Sequence, residues 1–104
     1  MNSIFIFTEI LSKAKLDIDL LCNEKKSDYW DTISAIIIDK HFINMASVEM
    51  RKPDITWHEA LKIMQFKCDK KLQKLEIGEK SEYIIEIKGA CKYLIDKYGN
   101  NTAI

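Results

Sequence analysis

The apolar positions of this 104-residue chain recur at three- and four-residue steps, in four stretches separated by three short polar connectors. The first stretch sets Ile4, Phe7, Leu11, Ala14, Ile18 and Leu21 in one line, the stripe that an amphipathic helix over about 3–22 would bury. Ser3 stands where it can cap that helix, and Glu9 and Lys13 form an i,i+4 pair on its outer surface. A second stretch, over about 28–51, carries Trp30, Ile33, Ile37, His41, Met45 and Val48, with Ser27 or Asp28 as its cap. The run Ile36-Ile37-Ile38 has β propensity. The helical period continues on both sides of it for longer than strands run, so a strand is rejected. Pro53 stops this helix, because the residue before proline avoids the helical region.

The third stretch, over about 57–77, has the most explicit start. Thr56-Trp57-His58-Glu59 fits a capping box, with Ile55 and Ala60 at the two positions of a hydrophobic staple. Leu61, Met64, Cys68, Leu72 and Leu75 continue the stripe, and Gly78 suits a left-handed residue that closes a helix. The fourth stretch, over about 82–98, begins near Ser81 and aligns Ile84, Ile87, Cys91, Leu94 and Tyr98, with Ile95 beside them and Gly99 just past the end. Connectors of about five residues favour antiparallel neighbours. The expected fold is therefore all-α: a single-domain antiparallel four-helix bundle over 1–99, with 100–104 as a flexible tail.

Composition supports that picture and narrows the partners. The length suits one domain with its own core, and three glycines and one proline leave little to interrupt helices. Sixteen basic and sixteen acidic residues cancel, and every cation except Arg51 is lysine. A dedicated nucleic-acid binder carries a basic excess and uses arginine for bidentate contacts, so nucleic acid is disfavoured as a partner. Cys22, Cys68 and Cys91 make neither an even disulfide framework nor a zinc spacing. They stand among apolar positions as small buried hydrophobes, which suits a reducing, cytoplasmic setting. The apolar run Ile4–Phe7 is short and lacks the basic flank of a signal peptide. No stretch approaches the ~20 apolar residues that span a bilayer, so no membrane association is expected.

Candidate chemistry is thin. His58-Glu59 begins like a zinc-protease motif, but Lys62 stands where the second histidine belongs. His41 lies on an apolar stripe, where a lone histidine packs; the catalytic alternative pairs it with a cysteine as base and nucleophile. Glu82/Glu86 and Asp28/Asp31 are carboxylate pairs about one turn apart, yet neither histidine has the glutamate three residues before it that di-metal bundles use. The chain reads as non-enzymatic, with no catalytic residue, metal site or cofactor expected.

Surface charge says more. Lys67, Lys70, Lys71 and Lys74 gather on one side of the third helix with Phe66 beside them, and Arg51–Lys80 holds eight cations against five anions. Asp17, Asp19, Glu24, Asp28 and Asp31 form an acidic counterpart around the first connector. A solvated face is the bland account of both; steering toward a complementary macromolecule is the sharper one. On that account Phe66, Lys67, Lys70, Lys71, Lys74, Asp28 and Asp31 are the partner-binding candidates. Phe5, Ile6 and the Tyr29-Trp30 pair exceed what one core stripe requires, which leaves a homodimer open. Replacing Lys67, Lys70 and Lys74 together with Glu is expected to leave the fold intact, because they lie off the stripe. In size and expected architecture, though in no motif, the chain is similar to helical immunity proteins of bacterial toxins and to small phage-encoded inhibitors. The expected function is binding and neutralising another protein, such as a toxin or nuclease. A nucleic-acid-binding helical module and a homo-oligomeric structural or adaptor protein are the alternatives.

Overall fold

The computed structural model describes residues 3–25, 28–75 and 81–99, except for the side chains of 22–25. These residues form five helices and no strand: α1 (Ser3–Lys25), α2 (Asp28–Ile37), α3 (Lys40–Glu49), α4 (Trp57–Lys74) and α5 (Ser81–Tyr98). Gly78 and the 100–104 tail lie outside the described residues. The all-α class holds; the count of four helices does not.

The extra helix comes from a break in the segment expected to be continuous over 28–51. Asp39 takes an extended conformation (φ −72°, ψ 125°), and its carboxylate accepts the backbone N–H of His41 at 3.2 Å. That is an N-cap. The Asp39 N–H closes α2 by donating to the Ile36 carbonyl at 3.0 Å. The other carboxylate oxygen accepts the Tyr83 hydroxyl at 2.7 Å, which fastens the break to α5. Downstream the buried positions slip by one residue: Phe42, Ala46, Glu49 and Met50 go inward on α3, while His41 and Val48 are exposed and Met45 is half-buried. The expected stripe through His41, Met45 and Val48 is thus one residue out of phase.

Elsewhere the stripes point as their periods dictate. α1 buries Phe7, Ala14 and Ile18; α4 buries Trp57, Ala60, Leu61, Met64 and Cys68; α5 buries Ile87, Ala90, Cys91, Leu94 and Tyr98. Burial of each large apolar side chain contributes about 1.5–3 kcal/mol, so these rows outweigh any single polar contact. Phe7 joins three helices, with its ring centroid 6.4 Å from Phe42 and 6.3 Å from Trp57. α4 and α5 run antiparallel: Gly99 at the end of α5 meets His58 at the start of α4, and Lys88 pairs with Asp69 midway along. Thr56 caps α4 as expected, its hydroxyl accepting the Glu59 N–H at 3.2 Å. The loop before it contains Pro53 and a left-handed Asp54 (φ 61°), a conformation that aspartate tolerates better than most residues.

Three local expectations change. Ser3 lies inside α1, and its hydroxyl donates to the Ile55 carbonyl, joining the two helix starts. The ion pair on α1 is Lys15–Asp19 at 2.9 Å, with Lys15 also reaching Ser34 on α2, whereas Lys13 sits 5.8 Å from the Tyr98 ring and not on Glu9. Gly99 closes α5 through a 3₁₀ turn and does not adopt the left-handed conformation.

Candidate interaction surface

At 100° per residue, Lys70, Lys74, Lys67 and Lys71 occupy an arc of about 100° on α4, and all four are exposed. The structure thus brings the four lysines onto one side of the helix, between its outer surface and α3. It also gives them different neighbours. The Lys67 ammonium pairs with Glu49 of α3, whose other carboxylate oxygen accepts from Lys52 at 3.1 Å. Glu49 is the one charged side chain buried among the described residues, 6% exposed. The hydrogen bond from Lys67 outweighs burial and, with Lys52, holds the Glu49 carboxyl below its ordinary range. Lys67 is therefore a counter-ion of the fold. Against the expectation that Glu is tolerated there, Lys67→Glu would set a second carboxylate against a buried one.

The other three lysines face outward. Lys70 Nζ stands 5.3 Å from the centre of the Phe66 ring, which is 61% exposed, and Lys74 is exposed beyond it. Lys71 edges a cavity of about 500 Å³ between α3, α4 and α5, lined by His41, Met45, Cys68, Tyr83, Ile84 and Ile87. The outer surface of α3 continues this face. Lys40, His41, Asn44 and Val48 are exposed there with no carboxylate among them, and Arg51 and Lys52 are exposed in the turn that follows.

His41 and Cys68 line the same cavity, which puts the catalytic pairing on trial. Burial pushes the Cys68 thiol above its ordinary value, so at neutral pH the sulfur is a thiol and a poor nucleophile. The nearby carboxylate, Asp39, is occupied by the Tyr83 hydroxyl and the His41 N–H, and these two bonds hold it below the usual range. Burial, then the bond to Asp39, pushes the Tyr83 phenol up to about 12, so it stays a donor. The Tyr83 ring stacks on His41 with centroids 6.1 Å apart. This is an apolar recess with donors at its edge, suited to holding a side chain. The deeper Cys91 thiol is pushed up to about 12 by burial. Cys68 and Cys91 are buried as expected, whereas the Cys22 side chain lies outside the description.

The acidic candidates lie elsewhere. Asp28 edges a second cavity of about 300 Å³ between α2 and α5, with Tyr29, Thr32, Ile33, Ile85, Glu86 and Gly89. Asp31 is exposed one turn on. Trp30 wedges between Tyr29 and Tyr93, at 4.9 and 5.5 Å between ring centres, and leans on the core while Tyr29 stays half exposed. α5 separates the two cavities, with Ile84 and Ile87 turned to one and Ile85, Glu86 and Gly89 to the other. The structure does not bring Asp28 and Asp31 to the lysines. Sequence reasoning overlooked Glu49, Tyr83 and the α3 surface. The signal for the first was present, since Glu49 follows Phe42 and Ala46 at helical spacing.

Among the described residues no three His, Cys, Asp or Glu side chains gather as metal ligands, and no helix is long and apolar enough to cross a membrane. No protein-family model, curated protein or solved structure matches the chain.

Proposed function

We propose that the chain is a non-enzymatic protein that binds and neutralises another protein, offering the α3–α4 face to an acidic patch on its partner. One observation carries this reading: Lys70 stands over the exposed Phe66 ring, Lys71 edges the apolar recess, and Lys74 of α4 and Lys40 of α3 are exposed. An aromatic anchor inside a polar rim is the composition of a binding hot spot, and clustered charge accelerates encounter. A toxin is the first choice of partner. A nuclease toxin, whose own phosphate-binding site is basic, would be met instead by the acidic α2–α5 recess around Asp28, Asp31 and Glu86.

A second reading has an observation of its own. Ile38 and Asp39 alone join α2 to α3, and the outer face of α3 presents Lys40 and Asn44 with no acid among them, Arg51 and Lys52 following in the next turn. Helix, tight turn and a polar basic helix are the elements that read a DNA groove.

The deciding experiment is native mass spectrometry of the tagged chain recovered from the cells that encode it. The proposal predicts a stoichiometric complex with one polypeptide, whose own activity falls as the chain is added. A chain bound to nucleic acid, with affinity falling steeply with salt, would replace the proposal with the second reading. A chain carrying neither would overturn both.

A further inference from the structure

The recess between α3, α4 and α5 has a volume of about 500 Å³, within the range of cavities that hold small molecules. Its walls divide by chemistry. Met45, Ile84 and Ile87 supply aliphatic surface, His41 and Tyr83 supply a stacked pair of rings, and Met45 and Cys68 supply two sulfurs. Polarizable sulfur packs favourably on aromatic rings, and rings pack edge to face on one another. The interior therefore suits a flat aromatic group better than a flexible alkyl chain. The charge of the recess is one-sided. Lys71 is the one lysine, arginine, aspartate or glutamate in its lining, and it is exposed, at the mouth, one turn beyond Cys68 on α4. Lys71 enters no ion pair among the described residues. The neighbouring carboxylates are engaged elsewhere: Asp39 by the Tyr83 hydroxyl and the His41 backbone N–H, Asp69 by Lys88, while Glu86 lines the α2–α5 cavity. Burial raises the Cys68 thiol, so the sulfur adds no negative charge at neutral pH.

We propose that this recess is a small-molecule site for an aromatic monocarboxylate, its ring among Met45, Cys68, Tyr83 and Ile87 and its carboxylate at the Lys71 ammonium. An apolar interior beneath one unneutralised cation is complementary to an amphiphilic anion and rejects a cation of the same shape. His41, exposed at the edge, offers the carboxylate a second N–H donor. A single negative charge matches a single lysine, and a second would find no further lysine or arginine in the lining. The Tyr83 hydroxyl is spent on Asp39, so Tyr83 presents its ring to the ligand. The site lies on the face offered to a protein partner, but it stands on the cavity walls alone and is tested without a partner. Its failure would leave the protein-binding reading standing.

Titration of the full chain with 3-phenylpropionate, followed through the methyl NMR signals of methionine and isoleucine, tests this. Saturable shifts are expected at Met45, Ile84 and Ile87, with a Kd on the order of 100 µM for so small a ligand. 3-Phenylpropylamine, the same ring on a cationic arm, should bind at least about tenfold more weakly. Octanoate, the alkyl carboxylate, should bind about threefold more weakly. Lys71→Gln should weaken 3-phenylpropionate about fivefold, as loss of an exposed ion pair does. Lys62→Gln, the same change of charge elsewhere on α4, should alter it by less than about twofold. The methyl spectrum of each variant without ligand shows whether the fold is intact. The proposal is overturned by the absence of saturable shifts at these methyls up to about 5 mM ligand. It is equally overturned by an amine that binds as tightly as the acid, or by a folded Lys71→Gln that binds like the native chain. Octanoate binding more tightly than 3-phenylpropionate overturns the aromatic class and gives the recess to an alkyl carboxylate.

Discussion

Lys67 and Lys70 stand one turn apart on α4 and are both largely exposed, yet they serve different ends. Lys67 looks across to α3, where burial of Glu49 would be prohibitive without a cation; Lys70 looks outward, where its neighbour is an aromatic ring. The difference lies in what the opposite side chain would lose. Removing Lys67 leaves a carboxylate in a place that water barely reaches, and removing Lys70 leaves a solvated ring. Charge on a helix surface is therefore available to a partner only where the fold has not already consumed it, and on this face that leaves Lys70, Lys71 and Lys74.

The largest expected effect sharpens that contrast. Lys67→Glu should cost about 3 kcal/mol in urea unfolding, because breaking a buried pair leaves an uncompensated charge and Lys52 offsets only part of it. Lys70→Glu, Lys71→Glu and Lys74→Glu combined should change stability by no more than about 0.5 kcal/mol. Equal losses in the two variants would erase the distinction.

Glu49 itself gives the next test. Its carboxyl is held below the ordinary range in the folded state, so its contribution is complete above the unfolded value of about 4.3 and disappears as pH falls through the lower folded value. Glu49→Gln should cost about 2 kcal/mol at pH 7, where hydrogen bonds to a charged group are lost. The gap between variant and native chain should begin to narrow as pH falls below about 4.3 and close only below the lower folded value. A gap that is constant with pH would show that Glu49 acts by packing alone.

A smaller effect is expected at the α2–α3 break. Asp39→Ala removes the cap of α3 and the acceptor of Tyr83, and should lower the midpoint of thermal denaturation. Tyr83→Phe should lose less, because the cap survives. If Asp39→Ala is neutral, the cap does not set this break.

The start of α4 was legible because its determinants are local: Thr56 and Glu59 lie within four residues of each other and the N-cap bond forms as their spacing predicts. The end of α2 was not. Asp39 is a good cap, but the apolar period runs through it with a slip of a single residue, about 100° of helix, which a broad apolar face absorbs. The capping carboxylate is also held by Tyr83, contributed by a distant helix that no local pattern shows. Glu49 was missed for the same reason, since a row of apolar residues omits a carboxylate whose counter-ion comes from elsewhere in the chain. The lysine cluster was legible as a cluster. Its division into structural and available members was not, and neither was the recess beside it, which exists only where α3, α4 and α5 meet.

The measurement that bears most directly on the account is native mass spectrometry of complexes recovered with the native chain and with the combined Lys70→Glu, Lys71→Glu, Lys74→Glu variant. The account predicts a folded variant that has lost the partner polypeptide captured by the native chain. A variant that retains that partner in full would contradict the assignment of the α3–α4 face.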